Sequence, residues 1–225
     1  MPLHLVDDWN VPEEREELRS SDVFTDMDRD SSTLERTSER APMANVAPCA
    51  QGEIVRLPDG TILRVEPLRR GDRSTVKRLF ARLGPESRLR RFLSPVTSLS
   101  ERDLAFLTDV ERTGHEAVAA VDARDGTIAG IARYVQHQGR PEAADVAVAV
   151  ADDLHRRGVG SVLMDRLIAC ANANGFHLLT ATTLWENRPA RALLKRTGFA
   201  ATGSAGAEIE LELDLAGAPS RPTAA

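Results

Sequence analysis

Asp145-Val146-Ala147-Val148-Ala149-Val150-Ala151-Asp152-Asp153-Leu154-His155-Arg156-Arg157-Gly158-Val159-Gly160-Ser161-Val162-Leu163 changes period partway along its length. Val146, Val148 and Val150 share one face and Ala147 and Ala149 the other, the two-residue alternation of a strand. Beyond the polar interruption, Val159, Val162, Leu163, Leu167, Ile168 and Ala171 mark a single apolar stripe at helical spacing. Gly158 and Gly160 stand where the strand hands over to the helix.

Such a junction has chemistry before any side chain is considered. The first turn of a helix carries backbone N–H groups without intrahelical partners, and its aligned peptide dipoles add partial positive charge. Glycines remove the Cβ atoms that would hold an anion away, while Arg156 and Arg157 add full positive charge beside them. A phosphate or pyrophosphate suits this place. The same two glycines also suit a tight turn that binds nothing.

Working outward, Leu178 to Leu184 reads as the next strand, so residues 145 to 184 form a strand-helix-strand passage, expected to be a right-handed crossover between parallel strands. Asn187 to Thr197 reads as a helix stopped by Gly198, and Ile209, Leu211, Leu213 and Leu215 alternate with acidic residues in a final strand, Glu208 to Leu215. Upstream, Glu116 to Val121 and Thr127 to Val135 flank the hairpin turn Asp125-Gly126. Ile54 to Leu57 and Thr61 to Val65 flank Pro58-Asp59-Gly60. Between these hairpins, Asp72 can cap a helix bearing Val76, Leu79, Phe80 and Leu83. Pro85 starts a second helix, and Ser100 caps a third with Leu104, Leu107 and Val110.

The stretch His155-Arg156-Arg157-Gly158-Val159-Gly160 resembles the acetyl-CoA-binding signature of the GNAT superfamily of N-acetyltransferases: Gln or Arg, two residues, Gly, one residue, then Gly or Ala, between a strand and a long helix. His155 stands where Gln or Arg is usual. The second landmark of that family, an Asn followed by a short helix ending in Gly-Phe, corresponds to Asn187 through Gly198-Phe199. The resemblance implies an α/β (α+β) GNAT fold, a mixed central sheet of about six to seven strands flanked by helices. It also implies acetyl-CoA as co-substrate, with no metal. Val148, Val150, His155, Arg156, Arg157, Gly158, Val159, Gly160, Ser161 and Asn187 are the candidate cofactor contacts. Asn187 also suits a helix N-cap, with Pro189 in the first turn.

Within the superfamily, Leu63 to Asp72 together with Pro85-Glu86-Ser87-Arg88-Leu89-Arg90-Arg91-Phe92 resembles the bacterial protein-lysine acetyltransferases known as Pat, which acetylate an active-site lysine of acyl-CoA synthetases. The likeness spans roughly Glu53 to Leu215. In these proteins a Glu on the strand before the loop serves as general base, often through water. Counting back from Gly158 puts Asp145 at that place, with Glu142 nearby, although a polar residue can equally begin a strand. If Asp145 is the base, burial should raise its pKa. Many GNAT enzymes carry a Tyr eight positions into the Asn motif, able to protonate the departing thiolate; Leu194 occupies it here, and the chain's only tyrosine, Tyr134, lies on another strand. Arg88, Arg90 and Arg91 read as a solvated helix face, with substrate contact as the alternative. Trp185, just beyond a strand end, suits either the lining of the acceptor or cofactor pocket or core packing at the sheet rim.

Composition and charge set the limits. The 225 residues, 42% hydrophobic, can bury one substantial core. There is no apolar run of membrane-spanning length, and Met1 to Asp8 lacks a secretory pattern, so a cytoplasmic location is expected. Cys49 and Cys170 support neither a disulfide framework nor a zinc site. Residues 1–52 hold twelve of the acidic residues against five arginines and are Ser/Thr-rich, predicting a disordered acidic tail. Residues 53–215 form the expected catalytic domain, and 216–225 a flexible Ala/Pro-rich end. No concentrated basic face points to nucleic acid. The expected partners are acetyl-CoA and either a protein with an acceptor lysine or a small amine. A non-catalytic acyl-CoA sensor is the rival from another class.

Overall fold

A computed structural model describes residues 51–110 and 114–216. The expected N-terminal tail falls almost wholly outside these residues, as does the C-terminal end. One sheet of eight strands organises the rest: β1 (Glu53–Arg56), β2 (Ile62–Pro67), β3 (His115–Asp122), β4 (Ile128–His137), β5 (Arg140–Val150), β6 (Leu178–Leu184), β7 (Ala200–Ala205) and β8 (Glu208–Asp214). Their spatial order is β1-β2-β3-β4-β5-β6-β8-β7. All pairings are antiparallel except β5 with β6, as the crossover reading requires. The sheet has more strands than the six to seven expected because β7 was not legible. Its residues, Ala-Ala-Thr-Gly-Ser-Ala, are mostly exposed and lack the apolar alternation that announces a half-buried strand.

Five helices flank the sheet: α1 (Arg73–Ala81), α2 (Pro85–Phe92), α3 (Glu101–Thr108), α4 (Val159–Ala173) and α5 (Arg188–Arg196). Their starts follow the capping residues. The Asp72 side chain accepts from Thr75 N, Ser100 and Asp103 form a reciprocal capping box, and Pro85 opens α2. One sheet face packs Tyr134, Ala144 and Val146 under Leu163, Met164 and Leu167 of α4. The opposite face packs Ala119, Val121 and Ile128 under Val76 and Leu79 of α1 and Leu104 and Leu107 of α3. Alternating residues of β5 therefore serve two cores, which explains why Ala faces one side and Val the other. Gly130 on β4 sits where a Cβ would lie 2.8 Å from Ala149 O and 2.9 Å from Leu163 Cδ1, so the α4 layer closes directly on the backbone there.

Cys170, fully buried on α4, is disulfide-bonded, correcting the sequence expectation; the chain's other cysteine, Cys49, lies outside the described residues. Among the described residues no helix is long and apolar enough to cross a membrane.

Candidate functional site

β5 and β6 pair only at Ala143–Leu178, Ala144–Leu179 and Asp145–Thr180. β6 remains paired with β8 through Leu184, and β5 remains paired with β4 to Val150, so past Asp145 the sheet opens as a wedge. Backbone groups of β5 that would have met β6 are left facing a cleft of about 640 Å³, within the range of small-molecule sites. Its walls come from β5, the start of α4, β6 and α5, and its far rim from Ser87, Arg90 and Arg91 of α2.

The loop entering α4 is shaped as an anion cradle. Arg156 has φ +61° and Gly158 φ +98°, so two residues within three adopt the left-handed conformation. A non-glycine residue held there is strained, and successive turns of this kind point N–H groups into one concavity. Gly160 lies at the cleft, where a Cβ would stand 3.1 Å from Leu193 Cδ2, so its missing side chain permits the close approach of α4 to α5. His155 Nε2 donates to the Val150 carbonyl at 3.0 Å, tying the loop to the end of β5.

Val148, Val150, His155, Arg156, Gly158, Gly160, Ser161 and Asn187 all line the cleft. Two expected contacts do not face it. Arg157 turns away, with Nε 2.5 Å from Asp59 Oδ2 and Nη2 2.8 Å from Thr61 Oγ1, clamping the loop to the β1-β2 turn. Val159 is 1% exposed and belongs to the core. Asn187 is 7% exposed and internally engaged: Oδ1 accepts from Ala190 N at 3.3 Å, and Nδ2 donates to Thr183 Oγ1 at 3.1 Å. The sequence reading missed Arg196, which lines the cleft and donates to Ser161 Oγ. Its helical position opposite the α4 start was a signal only once both helices were placed.

Asp145 sits at the apex of the wedge, on the sheet face away from α4. Its carboxyl is lifted to about 6, first by burial, against the Thr180 hydrogen bond and the cations Arg91 and Arg133. It retains part of its solvent contact, yet the atoms crowded around the carboxyl strip most of its hydration. Thr180 Oγ1 donates to Asp145 Oδ1 at 3.2 Å. Because that uses the hydroxyl's single proton, the 2.8 Å contact between His137 Nε2 and Thr180 Oγ1 requires the imidazole to donate. Burial also lowers the His137 pKa. Glu142, the neighbouring carboxylate, is exposed at the start of β5 beside Arg140.

No tyrosine reaches this apex among the described residues. Tyr134 is fully buried under α4, where Asn174 Nδ2 donates to its Oη at 2.5 Å and the ring meets Phe176 edge-on at 5.0 Å. Leu194 is core. Trp185 neither lines the cleft nor packs in the core: it is 58% exposed, with the Arg191 guanidinium 4.1 Å above its ring. The arginines of α2 are not the solvated face expected: Arg88 donates to the Thr97 and Phe80 carbonyls and covers the Phe80 ring, while Arg91 points inward. Aromatic neighbours on α1 and α2 draw the planar guanidinium groups down onto the protein.

The model of the acetyltransferase (GNAT) family matches residues 86–199, from α2 to the end of the Asn motif. The acetyltransferase PA5475 of Pseudomonas aeruginosa is 34% identical over 147 residues, covering 64% of this chain and 77% of that protein. Acetyltransferase Pat of Mycolicibacterium smegmatis is 33% identical over 113 residues, half of this chain and 34% of the relative's length. The crystal structure of the GNAT domain of S. lividans PAT superposes with a TM-score of 0.68 at 26% identity, covering 73% of this chain and 97% of that one.

Proposed function

The chain belongs to the GNAT acetyltransferase family, and from that premise we infer that it transfers the acetyl group of acetyl-CoA to an amine at the apex of the β5/β6 wedge. The observation that carries this reading is the continuity of the cleft, which joins a helix N-terminus shaped for an anion to the region of a buried carboxyl able to accept a proton. Acetyl-CoA supplies an acetyl thioester, activated toward nucleophiles. Its phosphates suit the backbone N–H groups from Gly158 to Ser161, with Arg156 and Arg196 as flanking cations. The acetyl-bearing arm suits the space between Val148 and Val150 on one side and Ala181 to Thr183 on the other.

Asp145 is then the general base. An acceptor ammonium is not nucleophilic, and a carboxylate with a pKa near 6 takes its proton more readily than an ordinary one while staying mostly ionised at neutral pH. Beyond Asp145, where β5 no longer pairs with β6, the backbone N–H groups of that edge suit the polarising of a carbonyl held in the wedge. As acceptor we favour a protein lysine, a reading supported by the likeness to two Pat proteins.

Calorimetric titration with acetyl-CoA tests the cofactor site. Wild type should bind, and Gly158→Glu, which places a carboxylate and a side chain at a left-handed position of the cradle, should not. Absence of wild-type binding removes the enzyme reading. Acetylation of candidate proteins, read by mass spectrometry, should be lost in Asp145→Ala; unchanged turnover removes the proposed base.

A further inference from the structure

Positive charge gathers in the cleft, and negative charge gathers at the beginning of the chain. Five arginines line the cleft: Arg90 and Arg91 on α2, Arg156 in the loop entering α4, and Arg188 and Arg196 at the two ends of α5. No carboxylate among the described residues lines it. Arg156, Arg188 and Arg196 are exposed, and none of the three forms an ion pair with a carboxylate of the described residues. Between these cations the lining is apolar, including Val146, Val148, Met164 and Leu193. The cleft therefore fits a ligand that carries several negative charges on a partly apolar body.

Residues 7–30 of the same chain have that chemistry. They hold ten carboxylates against three arginines, with Trp9, Leu18 and Phe24 spaced among them. From residue 53 onward the chain carries 24 Lys and Arg against 22 Asp and Glu, so the acidic excess belongs to this segment.

The start of the described chain lies within reach of the cleft. The Gln51 carbonyl accepts from Arg166 Nη2 at 2.7 Å, and Glu53 Oε2 lies 3.2 Å from Arg166 Nη1, so the chain departs from the flank of α4. Cys170, one turn further along, is disulfide-bonded, and Cys49 is the only other cysteine of the sequence. Arg166 stands six residues from Gly160, about 9 Å of helix. Twenty-one positions separate Gln51 from Asp30, and a coiled chain of that length spans about 25 Å. Such a tether sets an effective concentration on the order of 1 mM at the cleft.

We propose that residues 7–30 dock into the cationic cleft of their own chain and compete there with acetyl-CoA. The competition rests on the reading of the cleft as the cofactor site; the docking does not. A segment held at about 1 mM, with a Kd of about 0.1 mM for the cleft, weakens acetyl-CoA binding about tenfold.

Two experiments on the full chain test this. In the first, acetyl-CoA is titrated by calorimetry into wild type and into a chain carrying Glu13→Gln, Glu14→Gln, Glu16→Gln, Glu17→Gln, Asp26→Asn and Asp28→Asn, which takes the segment from a formal −7 to −1. At about 20 mM salt the neutralised chain should bind about tenfold more tightly, and at about 0.5 M salt, where charges are screened within a few ångströms, the two should agree. Equal affinities at low salt overturn the proposal.

The second experiment separates docking from long-range repulsion of the cofactor by an acidic chain. A synthetic peptide of residues 7–30 is titrated into the neutralised chain at low salt, without acetyl-CoA. It should bind saturably, with a Kd on the order of 0.1 mM, weakened about threefold or more when Arg188→Gln or Arg196→Gln is added. The peptide bearing the same six substitutions should not bind, and saturating acetyl-CoA should displace the acidic one. No saturable binding, equal binding of the neutralised peptide, binding that neither arginine variant weakens, or a peptide that stays bound beside acetyl-CoA overturns the proposal. If the neutralised chain binds no acetyl-CoA, the cofactor reading falls while the peptide titration still decides the docking, so the two failures are distinguishable.

Discussion

Replacing Asp145 by Asn removes the candidate base and, by the same physics, should change how stability depends on pH. Asp145 rises from its ordinary 3.8 to about 6 in the folded chain, chiefly through burial. The folded state therefore holds this proton more tightly than the unfolded chain does. The resulting stability is fully present below the unfolded value and is lost as pH climbs through the folded one. A rise of about two units corresponds to about 3 kcal/mol. Asn mimics the protonated carboxyl and cannot titrate, so the variant lacks this loss. Urea unfolding of wild type and Asp145→Asn, each measured from about pH 4 to about pH 8, isolates the effect, because the other titrating groups are common to both chains. The stability difference should move in favour of Asn by about 2.5 kcal/mol across that range, with most of the change between about pH 4 and pH 6. The absolute offset between the chains is immaterial. A difference that stays flat across the range would refute the claim that burial strains this carboxylate, and with it the argument that it is tuned to take a proton. The expected result is a loss of activity together with a stability that, relative to wild type, rises from acid to neutral pH.

Thr180→Val removes the hydroxyl that lowers the Asp145 pKa, and a carbon-detected NMR titration of that carboxyl should find it raised by about one unit, with Thr180→Ser restoring the wild-type value. Gly130→Ala drives a methyl group against Ala149 O and Leu163 Cδ1, and should destabilise the chain by about 1–3 kcal/mol, read as a lowered denaturant midpoint. Arg156→Ala and Arg157→Ala should differ despite their adjacency. The first removes a cation lining the cleft and should weaken acetyl-CoA binding by calorimetry, whereas the second cuts the loop's clamp to Asp59 and Thr61 and should leave the affinity nearer wild type.

The parts of this fold that could be read in advance are those whose information is local. Asp72, Pro85, Ser100 and Asn187 start helices because a cap needs only its own first turn. Strand β6 was read to its observed limits because both its faces are engaged along its length. The cradle at Gly158 was legible for the same reason, since a change from period two to helical period must pass through a junction. What was not legible depends on partners distant in sequence. Arg156 and Arg157 are indistinguishable as residues, and only the β1-β2 turn, about a hundred positions upstream, draws one of them aside. Arg91 looked like a solvated helix residue because periodicity reports which residues are polar and not what they meet. Arg133 carried still less signal, a single charge inside an apolar strand that could have been taken for an outward-facing residue. Their convergence on Asp145 arises from the sheet order, which places β4 beside β5 and lays α2 across the same face. That juxtaposition bears on the carboxyl itself. Burial raises the Asp145 pKa while Thr180 and two arginines from other elements oppose the rise, so the proton affinity of the candidate base is set by contacts that periodicity does not report.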